Sequence, residues 1–252
     1  MPNPPEYYPA KAETTRRLAG RIALVTGASR GIGAAVARRF AAEGAELILV
    51  ARTVGGLEET DDAVKAAGGH ATLVPLDLAD YPAIDRLGQA IFERHKRLDV
   101  LVGNAGLLGT LTPIHQIRPQ DWQQVMDINV TANWRLIRSM HPLLQASPAG
   151  RAMFVSSGAS TAPRAYWGTY AVSKAALDML VGIYAAETAK TSIRINIVDP
   201  GRVRTNMRAS AYPGEDPMKL PAPDDITDLF VELASTDCTR HGERIDVTVR
   251  RH

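Results

Sequence analysis

Tyr170 and Lys174 are spaced so that a helix would place both side chains on one face, one turn apart. A tyrosine hydroxyl has a reference pKa of about 10 and is a poor base at neutral pH. A nearby ammonium favours the phenolate, so the spacing predicts that Lys174 lowers the pKa of Tyr170. The phenol could then exchange a proton with a substrate oxygen while a hydride moves at the adjacent carbon. The alternative is a surface contact between two side chains on one helix.

Ser157 could assist that proton transfer. It lies at the end of a predicted strand, before the helix that carries Tyr170. Its hydroxyl could hydrogen-bond a carbonyl or alcohol oxygen and polarise it. The alternative is that Ser156 and Ser157 only begin a turn.

A glycine-rich segment, TGASRGIG at residues 26–33, lies between the first predicted strand and a helical pattern. Glycines permit a tight turn and a close approach to a pyrophosphate, and the following helix directs its N–H groups and dipole at the anion. The alternative is a strand-to-helix turn that binds nothing. The placement favours a dinucleotide loop, and its candidate cofactor residues are Gly27, Ser29, Arg30, Gly31, Ile32 and Gly33.

The end of the second predicted strand, at Ala51 and Arg52, indicates which dinucleotide would bind. An acidic residue at this place binds the ribose hydroxyls of NAD, whereas an arginine accommodates the 2'-phosphate of NADP. Arg30 could supply a second cation. Each arginine alone could be a solvated surface residue, but together they favour NADP(H) as the cofactor.

The elements that must position these residues follow an alternating pattern of strands and helices. Continuous apolar runs, rather than alternating ones, are typical of parallel strands buried on both faces. The runs are RIALVT, ELILVA, ATLVPL, DVLVG, RAMFVS and IRINIV. Helices are predicted at 31–43, 56–67, 82–96, 119–145, 168–190 and near 224–234, with a last strand near 244–249. The pattern predicts an α/β fold, a single Rossmann-type domain with a doubly wound parallel sheet flanked by helices on both faces.

Composition and charge indicate which kinds of partner the protein could bind and in which compartment it would be found. The chain has 252 residues, a net charge of +2 and a single cysteine, Cys238, which cannot form an intrachain disulfide. Basic residues are scattered among acids, so no nucleic acid is expected, and no apolar run approaches the length of a membrane span. No secretory signal is visible, so a cytoplasmic location is expected. The histidines have no zinc-like spacing, so no metal site is predicted.

The motifs together resemble those of the short-chain dehydrogenase/reductase family, from about residue 21 to the C-terminus. TGASRGIG is similar to the family's cofactor loop, and Ser157, Tyr170 and Lys174 are similar to its catalytic serine and YxxxK pair. Gly103 precedes the NAG motif where many members have a second asparagine. The resemblance implies that Asn129 holds a water linking Lys174 to solvent. It adds as cofactor residues Asp77, Leu78, Asn104, Ala105, Gly106, Tyr170, Lys174, Pro200, Gly201, Val203 and Thr205.

A closer resemblance, to the YciK-like branch of bacterial oxidoreductases, is carried by NAGLLG, RAYWGTYAVSK and TNMRASAYPGEDPMKL. It implies no particular substrate. The family resemblance also implies a homodimer or homotetramer assembled through the helices predicted at 119–145 and 168–190.

The leading hypothesis is an NADP(H)-dependent oxidoreductase that interconverts a carbonyl and an alcohol on a small molecule. The alternatives are a non-catalytic NADP(H)-binding regulatory or scaffold protein and a purely structural subunit. We expect residues 1–19 to form a flexible arm and residues 20–252 a single domain. Within that domain, residues 202–223 are predicted to form a substrate lid with the cations Arg202, Arg204, Arg208 and Lys219. Trp167 could border the pocket or only pack.

Overall fold

Continuous apolar runs form the predicted parallel sheet. The computed structural model describes residues 16–247, and within them seven parallel strands pair in the order β3-β2-β1-β4-β5-β6-β7. The strands are β1 (Ile22–Thr26), β2 (Glu46–Ala51), β3 (His70–Pro75), β4 (Val100–Gly103), β5 (Arg151–Val155), β6 (Arg194–Asp199) and β7 (Arg244–Asp246). β1 pairs with both β2 and β4, so the strand order reverses there. The predicted fold class is confirmed.

Helices cover both faces of the sheet because successive strand residues point to opposite sides. The helices are α1 (Gly31–Ala42), α2 (Val54–Ala66), α3 (Tyr81–His95), α4 (Pro119–Met126), α5 (Ala132–Ala146), α6 (Gly168–Thr188), α7 (Asn206–Ala211) and α8 (Thr227–Ala234). Val25 packs with α1, α2 and α8, whereas its neighbour Leu24 packs with α3, α5 and α6. In the part of the chain that is described, no helix is both long and apolar enough to cross a membrane.

The helix predicted at 119–145 is interrupted by a π-helical turn at Asp127–Thr131, which separates α4 from α5. Such single turns are frequent at functional sites. Asn133 Nδ2 donates to the carbonyl of Asn129 at 2.9 Å, so a side chain supplies a hydrogen bond within the irregular turn. The stretch predicted at 119–145 is thus helical throughout, and the π-helical turn within it was not predicted from the sequence.

The ends of the described chain differ from the predicted boundaries. Leu18 is fully buried and its N–H donates to the carbonyl of Glu43 at 3.0 Å, so residues 16–19 pack on the domain. Residues 1–15 of the predicted arm lie outside the described residues. The predicted last strand is described over Arg244–Asp246, and its residues 248–249 also lie outside them.

Candidate active site

A cavity of about 720 Å³ lies at the carboxyl ends of the strands, at the point where the strand order reverses. Ligands of open α/β sheets bind at such switch points, and the volume is typical of a ligand pocket. Of the residues predicted to contact the cofactor or substrate, Gly33 and Asn129 do not line the cavity. Those that do are Gly27, Ser29, Arg30, Gly31, Ile32, Arg52, Asp77, Leu78, Asn104, Ala105, Gly106, Ser157, Tyr170, Lys174, Pro200, Gly201, Val203 and Thr205.

The glycine loop is shaped by positions where a side chain cannot be accommodated. Gly27 and Gly31 have φ angles of +65° and +58°, which favour glycine. A Cβ on Gly33 would lie 2.3 Å from the Gly27 carbonyl oxygen, so Gly33 lets α1 approach the loop instead of lining the cavity. Arg30 caps α1 without a side-chain hydrogen bond to its first turn. The loop and the N-terminus of α1 therefore form a cradle that fits a phosphate.

Polar residues on the two central strands brace this cradle. Thr26 Oγ1 accepts from the N–H groups of Asn104 and Ala105 at 3.0 and 3.1 Å. Asn104 Nδ2 donates to the carbonyl oxygens of Thr26 and Gly27 at 2.9 and 3.3 Å. The NAG segment thus holds the end of β1 and the first glycine, as the resemblance implies.

Two cations lie at the far end of the cavity. Arg30 and Arg52 are exposed, and neither forms an ion pair with any residue within the described range. Arg52 and Asp77 also border a second cavity of about 340 Å³. Asp77 Oδ1 accepts from Ala79 N at 3.0 Å, which holds the carboxylate at the turn after β3. A phosphate beside Arg52 would meet an uncompensated guanidinium.

Tyr170 and Lys174 lie on one face of α6, as their spacing predicts. Tyr170 is 7% exposed and Lys174 is 3% exposed, so both are buried at the edge of the cavity. The Tyr170 hydroxyl interacts with the side chain of Ser157, which follows β5 and lowers the pKa of Tyr170. Lys174 Nζ lies 5.8 Å from the centre of the Tyr170 ring and donates to the carbonyl of Val155 at 2.8 Å. The strand end and the helix thus bring the three predicted residues together.

Burial dominates the protonation of this pair. Desolvation raises the pKa of Tyr170 to about 12, against a smaller lowering by Ser157. Desolvation lowers the pKa of Lys174 to about 8, although Asp178 and Asp199 oppose it. The pKa of Tyr170 is therefore raised, whereas its spacing from Lys174 predicts that it is lowered, because the cost of burying a phenolate prevails. At neutral pH Tyr170 is an acid with a proton to donate.

Asn129 is fully buried within the π-helical turn. Its Oδ1 accepts from Leu107 N at 2.8 Å, and its Nδ2 donates to Leu107 O and to Ser173 Oγ, both at 2.9 Å. Both amide hydrogens are thus used by protein groups, and the side chain links the loop after β4 to α6. The water that the resemblance assigns to Asn129 stays a prediction.

Several residues of the segment 202–223 line the cavity. The segment contains α7 and a 3₁₀ turn at Pro217–Lys219, neither of which was predicted from the sequence. α7 has six residues and none is buried, so the sequence has no periodic apolar pattern from which this helix could be predicted. Of the cations named from the sequence in this segment, Arg204 and Arg208 line the cavity. Asn206, Met207, Ser210 and Ala211 line it without having been predicted.

An aromatic contact joins this segment to Tyr170. Trp167 lines the cavity, its ring centre 5.9 Å from that of Tyr170 and 5.6 Å from that of Tyr212. Arg208 stacks on Tyr212 at 3.7 Å and forms two hydrogen bonds with Glu215, at 2.5 and 2.6 Å. Arg164 hydrogen-bonds the Tyr212 hydroxyl. The charge of Arg208 is therefore paired within the protein.

Sequence reasoning also missed a charged cluster beside the site, formed by Asp178, Asp199 and Arg244. Asp199 comes directly before Pro200, so its proximity to the site could have been read from the sequence. Arg244 lies far along the chain on β7, and nothing in its sequence context indicates a contact with Asp178 and Asp199. Across the described residues, no group of three or more His, Cys, Asp or Glu side chains could hold a metal ion.

Comparisons with known proteins agree with this geometry. The family model described as short chain dehydrogenase matches residues 21–216. The chain is 40% identical over 223 residues to the uncharacterized oxidoreductase YciK of Escherichia coli K12, covering 87% of this chain and 88% of that protein. It is 34% identical over 234 residues to 2,3-dihydro-2,3-dihydroxybenzoate dehydrogenase of Bacillus subtilis, covering 86% and 89%.

Among solved structures, the chain resembles a short chain dehydrogenase from Escherichia coli CFT073 that was crystallised in complex with NADPH. The two share 38% identity with a TM-score of 0.88, over 92% of this chain and 99% of the other. The similarity thus extends over the sheet, the helices and the cavity.

Proposed function

This chain belongs to the short-chain dehydrogenase family of oxidoreductases, and from that membership we propose that it uses NADP(H) to interconvert a carbonyl and an alcohol. The observation that carries the proposal is the convergence of Ser157, Tyr170 and Lys174 on a cavity whose other end holds a glycine cradle and Arg52. A bound dinucleotide connects a phosphate loop of this kind to a reacting centre.

The residues of the cavity fit NADP(H) by their chemistry. The cradle of Gly27 and Gly31 suits the diphosphate, and Arg30 and Arg52 suit a 2'-phosphate. The Escherichia coli CFT073 relative binds NADPH, which supports the same cofactor here. Asp77, Leu78 and the NAG segment would contact the adenosine side, and Pro200, Gly201, Val203 and Thr205 the nicotinamide side.

When bound, NADP(H) supplies or accepts the hydride. Ser157 would hydrogen-bond the substrate oxygen and polarise the carbonyl. Tyr170 would donate its proton to that oxygen during reduction, and the raised pKa of Tyr170, about 12, keeps the proton in place until then. In the oxidative direction Tyr170 would take the proton from the alcohol, and Lys174 would stabilise the phenolate.

Residues 202–223 are proposed to act as a lid over cofactor and substrate. The stacking of Tyr212 on Trp167, which itself contacts Tyr170, supports this role. Closure would exclude water from the reacting atoms.

A homodimer or homotetramer through the helices at 119–145, which comprise α4 and α5, and at 168–190, which contain α6, is part of the proposal. Support comes from apolar side chains on their outer faces, with Met179 67%, Ile183 50% and Trp134 44% exposed.

The test of the proposed function is turnover. Purified protein with NADPH and a panel of ketones and aldehydes should consume cofactor, seen as loss of its near-ultraviolet absorbance, and form the alcohol in equal amount. Tight NADPH binding without turnover on any carbonyl or alcohol would favour a non-catalytic NADP(H)-binding protein. Failure to bind NADPH would overturn both.

A further inference from the structure

The guanidinium of Arg244 contacts three segments that carry or adjoin the proposed catalytic residues. Nη2 donates to the Ser157 carbonyl at 3.1 Å and to Asp199 Oδ2 at 2.6 Å, and Nη1 donates to Asp178 Oδ2 at 2.8 Å. Ser157 follows β5, Asp199 ends β6, and Asp178 lies on α6 one turn after Lys174. One side chain from the edge strand therefore connects three elements that must keep their relative positions.

Asp199 links Arg244 to the turn at Gly201, which precedes residues 202–223. It is 4% exposed, and its second oxygen, Oδ1, accepts from Gly201 N at 3.0 Å. Gly201 has a φ angle of +69°, so the turn has a backbone conformation that few other residues adopt. Because Arg244 holds one oxygen of Asp199 and Gly201 the other, the carboxylate fixes the distance between β7 and this turn.

The Arg244 guanidinium also compensates the buried negative charges of Asp178 and Asp199. Asp178 Oδ2 also lies 2.6 Å from Ser160 Oγ, whereas its buried Oδ1 has no hydrogen-bond partner in the described part of the chain. Burial raises the pKa of Asp199, while the Gly201 N–H and Arg244 oppose that rise. Removing one partner of such a pair leaves a buried, uncompensated charge, which is costly.

We propose that Arg244 is a positioning residue for the reaction: it holds Ser157 and the Gly201 turn in place and neutralises Asp178 and Asp199 beside the Tyr170–Lys174 pair. The positional part of this role rests on the proposed function. The electrostatic part is a property of the protein alone and can be measured without cofactor or substrate.

The charged groups around the pair set the sign of the expected effect. Lys174 interacts with Asp178 and Asp199, and Tyr170 interacts with Asp199. Asp199 in turn interacts with Arg244, Asp246 and Asp178. Without Arg244 the carboxylates act on Lys174 uncompensated and favour its ammonium form, so the pKa of Lys174 rises from its value of about 8.

The experiment is an NMR titration of cofactor-free protein carrying carbon-13-labelled lysine, with the Lys174 signal assigned by its loss in Lys174→Arg. We expect Arg244→Met to raise the Lys174 midpoint by about one pH unit. Arg244→Lys keeps the charge and should leave the midpoint close to that of the wild type. The double variant Arg244→Met with Asp199→Asn removes one positive and one negative charge, so its Lys174 midpoint should return to that of the wild type. Arg240→Met is the matched control, because Arg240 pairs with Glu232 and Glu243 instead.

An unchanged Lys174 midpoint in folded Arg244→Met would overturn the proposal, as would equal shifts in Arg244→Met and Arg244→Lys. If Arg244→Met does not fold, Asp199→Asn alone decides: it should lower the midpoint, and no change would overturn the proposal. These outcomes are independent of turnover. A wild type that binds no NADPH would refute the proposed function while leaving the titration result intact.

Where turnover is found, the pH profile of alcohol oxidation adds a second readout. Its rising limb reports formation of the phenolate, and Arg244→Met should move that limb to higher pH while Arg244→Lys should not. A lower rate with the limb unmoved would mean that Arg244 supports the fold and has no influence on proton transfer.

Discussion

The two ends of the cavity differ in how their arginines are used. At the cofactor end, Arg30 and Arg52 are exposed and have no ion-pair partner among the residues that the structure covers. At the lid end, Arg208 is paired with Glu215 and stacked on Tyr212, and Arg164 hydrogen-bonds the same tyrosine. Arg204 also lines the cavity there and has no ion-pair partner among the described residues, but its Nη1 donates to Met218 Sδ at 3.2 Å.

Unpaired guanidinium groups beside an open glycine cradle suit an anionic ligand, whereas paired ones hold a segment of chain in place. We therefore expect the negative charge of the ligands at the cofactor end, and an uncharged substrate group beside Arg208. Tyr170 and Lys174 lie between the two ends, so variants of this pair and of residues at each end test the comparison.

The largest effect on the rate is expected at Tyr170, which lies between the two ends of the cavity. Tyr170→Phe removes the proton donor and should lower kcat by roughly a hundredfold to ten-thousandfold, while NADPH binding and thermal stability stay near those of the wild type. The measurement pairs steady-state rates with cofactor titration. Tyr184→Phe is the matched control, since Tyr184 is buried on the same helix but bonds His141. A Tyr170→Phe rate close to that of the wild type would remove Tyr170 from the mechanism.

Lys174 carries the next largest expected effect, on the free energy of unfolding. Its pKa is lowered from 10.5 to about 8 in the folded protein, so at neutral pH a buried ammonium destabilises the fold. Between these two values the unfolded chain binds the proton more tightly, so this group's contribution to stability improves as pH rises. Lys174→Met should be more stable than the wild type at neutral pH, by on the order of 2 kcal/mol.

Urea unfolding across that pH range tests the sign. The difference between Lys174→Met and the wild type should shrink as pH rises from about 8 towards 10.5. A difference that stayed constant with pH would mean that the ammonium is not the cause. Lys190→Met, at an exposed position just after α6 with no ion-pair partner among the described residues, should show little change at any pH.

The cofactor end could be predicted from the sequence in more detail than the lid end. Buried strands have continuous apolar runs, and the residues at their carboxyl ends, such as Asn104 and Ser157, inherit their position from the strand. The glycine loop adds a local signal that needs no distant partner. These features explain why the fold class and the residues around the cradle could be inferred before the structure.

The structure at the lid end depends on contacts that could not be predicted from the sequence. α7 has no buried face, the π-helical turn has no apolar signature, and Arg244 meets Asp199 only because β7 pairs with β6. The protonation of Tyr170 was predicted in the wrong direction for a related reason. Helical spacing shows that a lysine is near, but it does not show how deeply both groups are buried.

At the cofactor end, Arg52→Ala should weaken use of NADPH but not of NADH. Losing a charge-assisted contact with the 2'-phosphate should lower kcat/KM for NADPH about tenfold to a hundredfold, or about 1.5–3 kcal/mol. Arg86→Ala, at an exposed arginine on α3, is the control. Equal or better use of NADH by the wild type would show that the unpaired cations do not select the 2'-phosphate, and the comparison would fail at that end.

The smallest effect is expected from the paired cation of the lid. Arg208→Glu places two acids together and should release Tyr212 from the stack that joins the lid to Trp167. Partly exposed ion pairs contribute up to about 1 kcal/mol, so KM for an accepted substrate should rise by no more than about fivefold. Hydrogen exchange across 202–223 should become faster by a similar factor.

Exchanging the two charges separates pairing from ligand binding. If Arg208 acts only by pairing, Arg208→Glu combined with Glu215→Arg restores an ion pair and should recover both KM and hydrogen-exchange protection. If Arg208 instead binds an anionic substrate group, the exchanged variant stays impaired on that substrate although its lid is protected again. That second result would refute the distinction between the two ends, because it would assign ligand charge to the lid as well. Unchanged protection across 202–223 on adding saturating NADPH, and again with substrate, would refute closure of the lid.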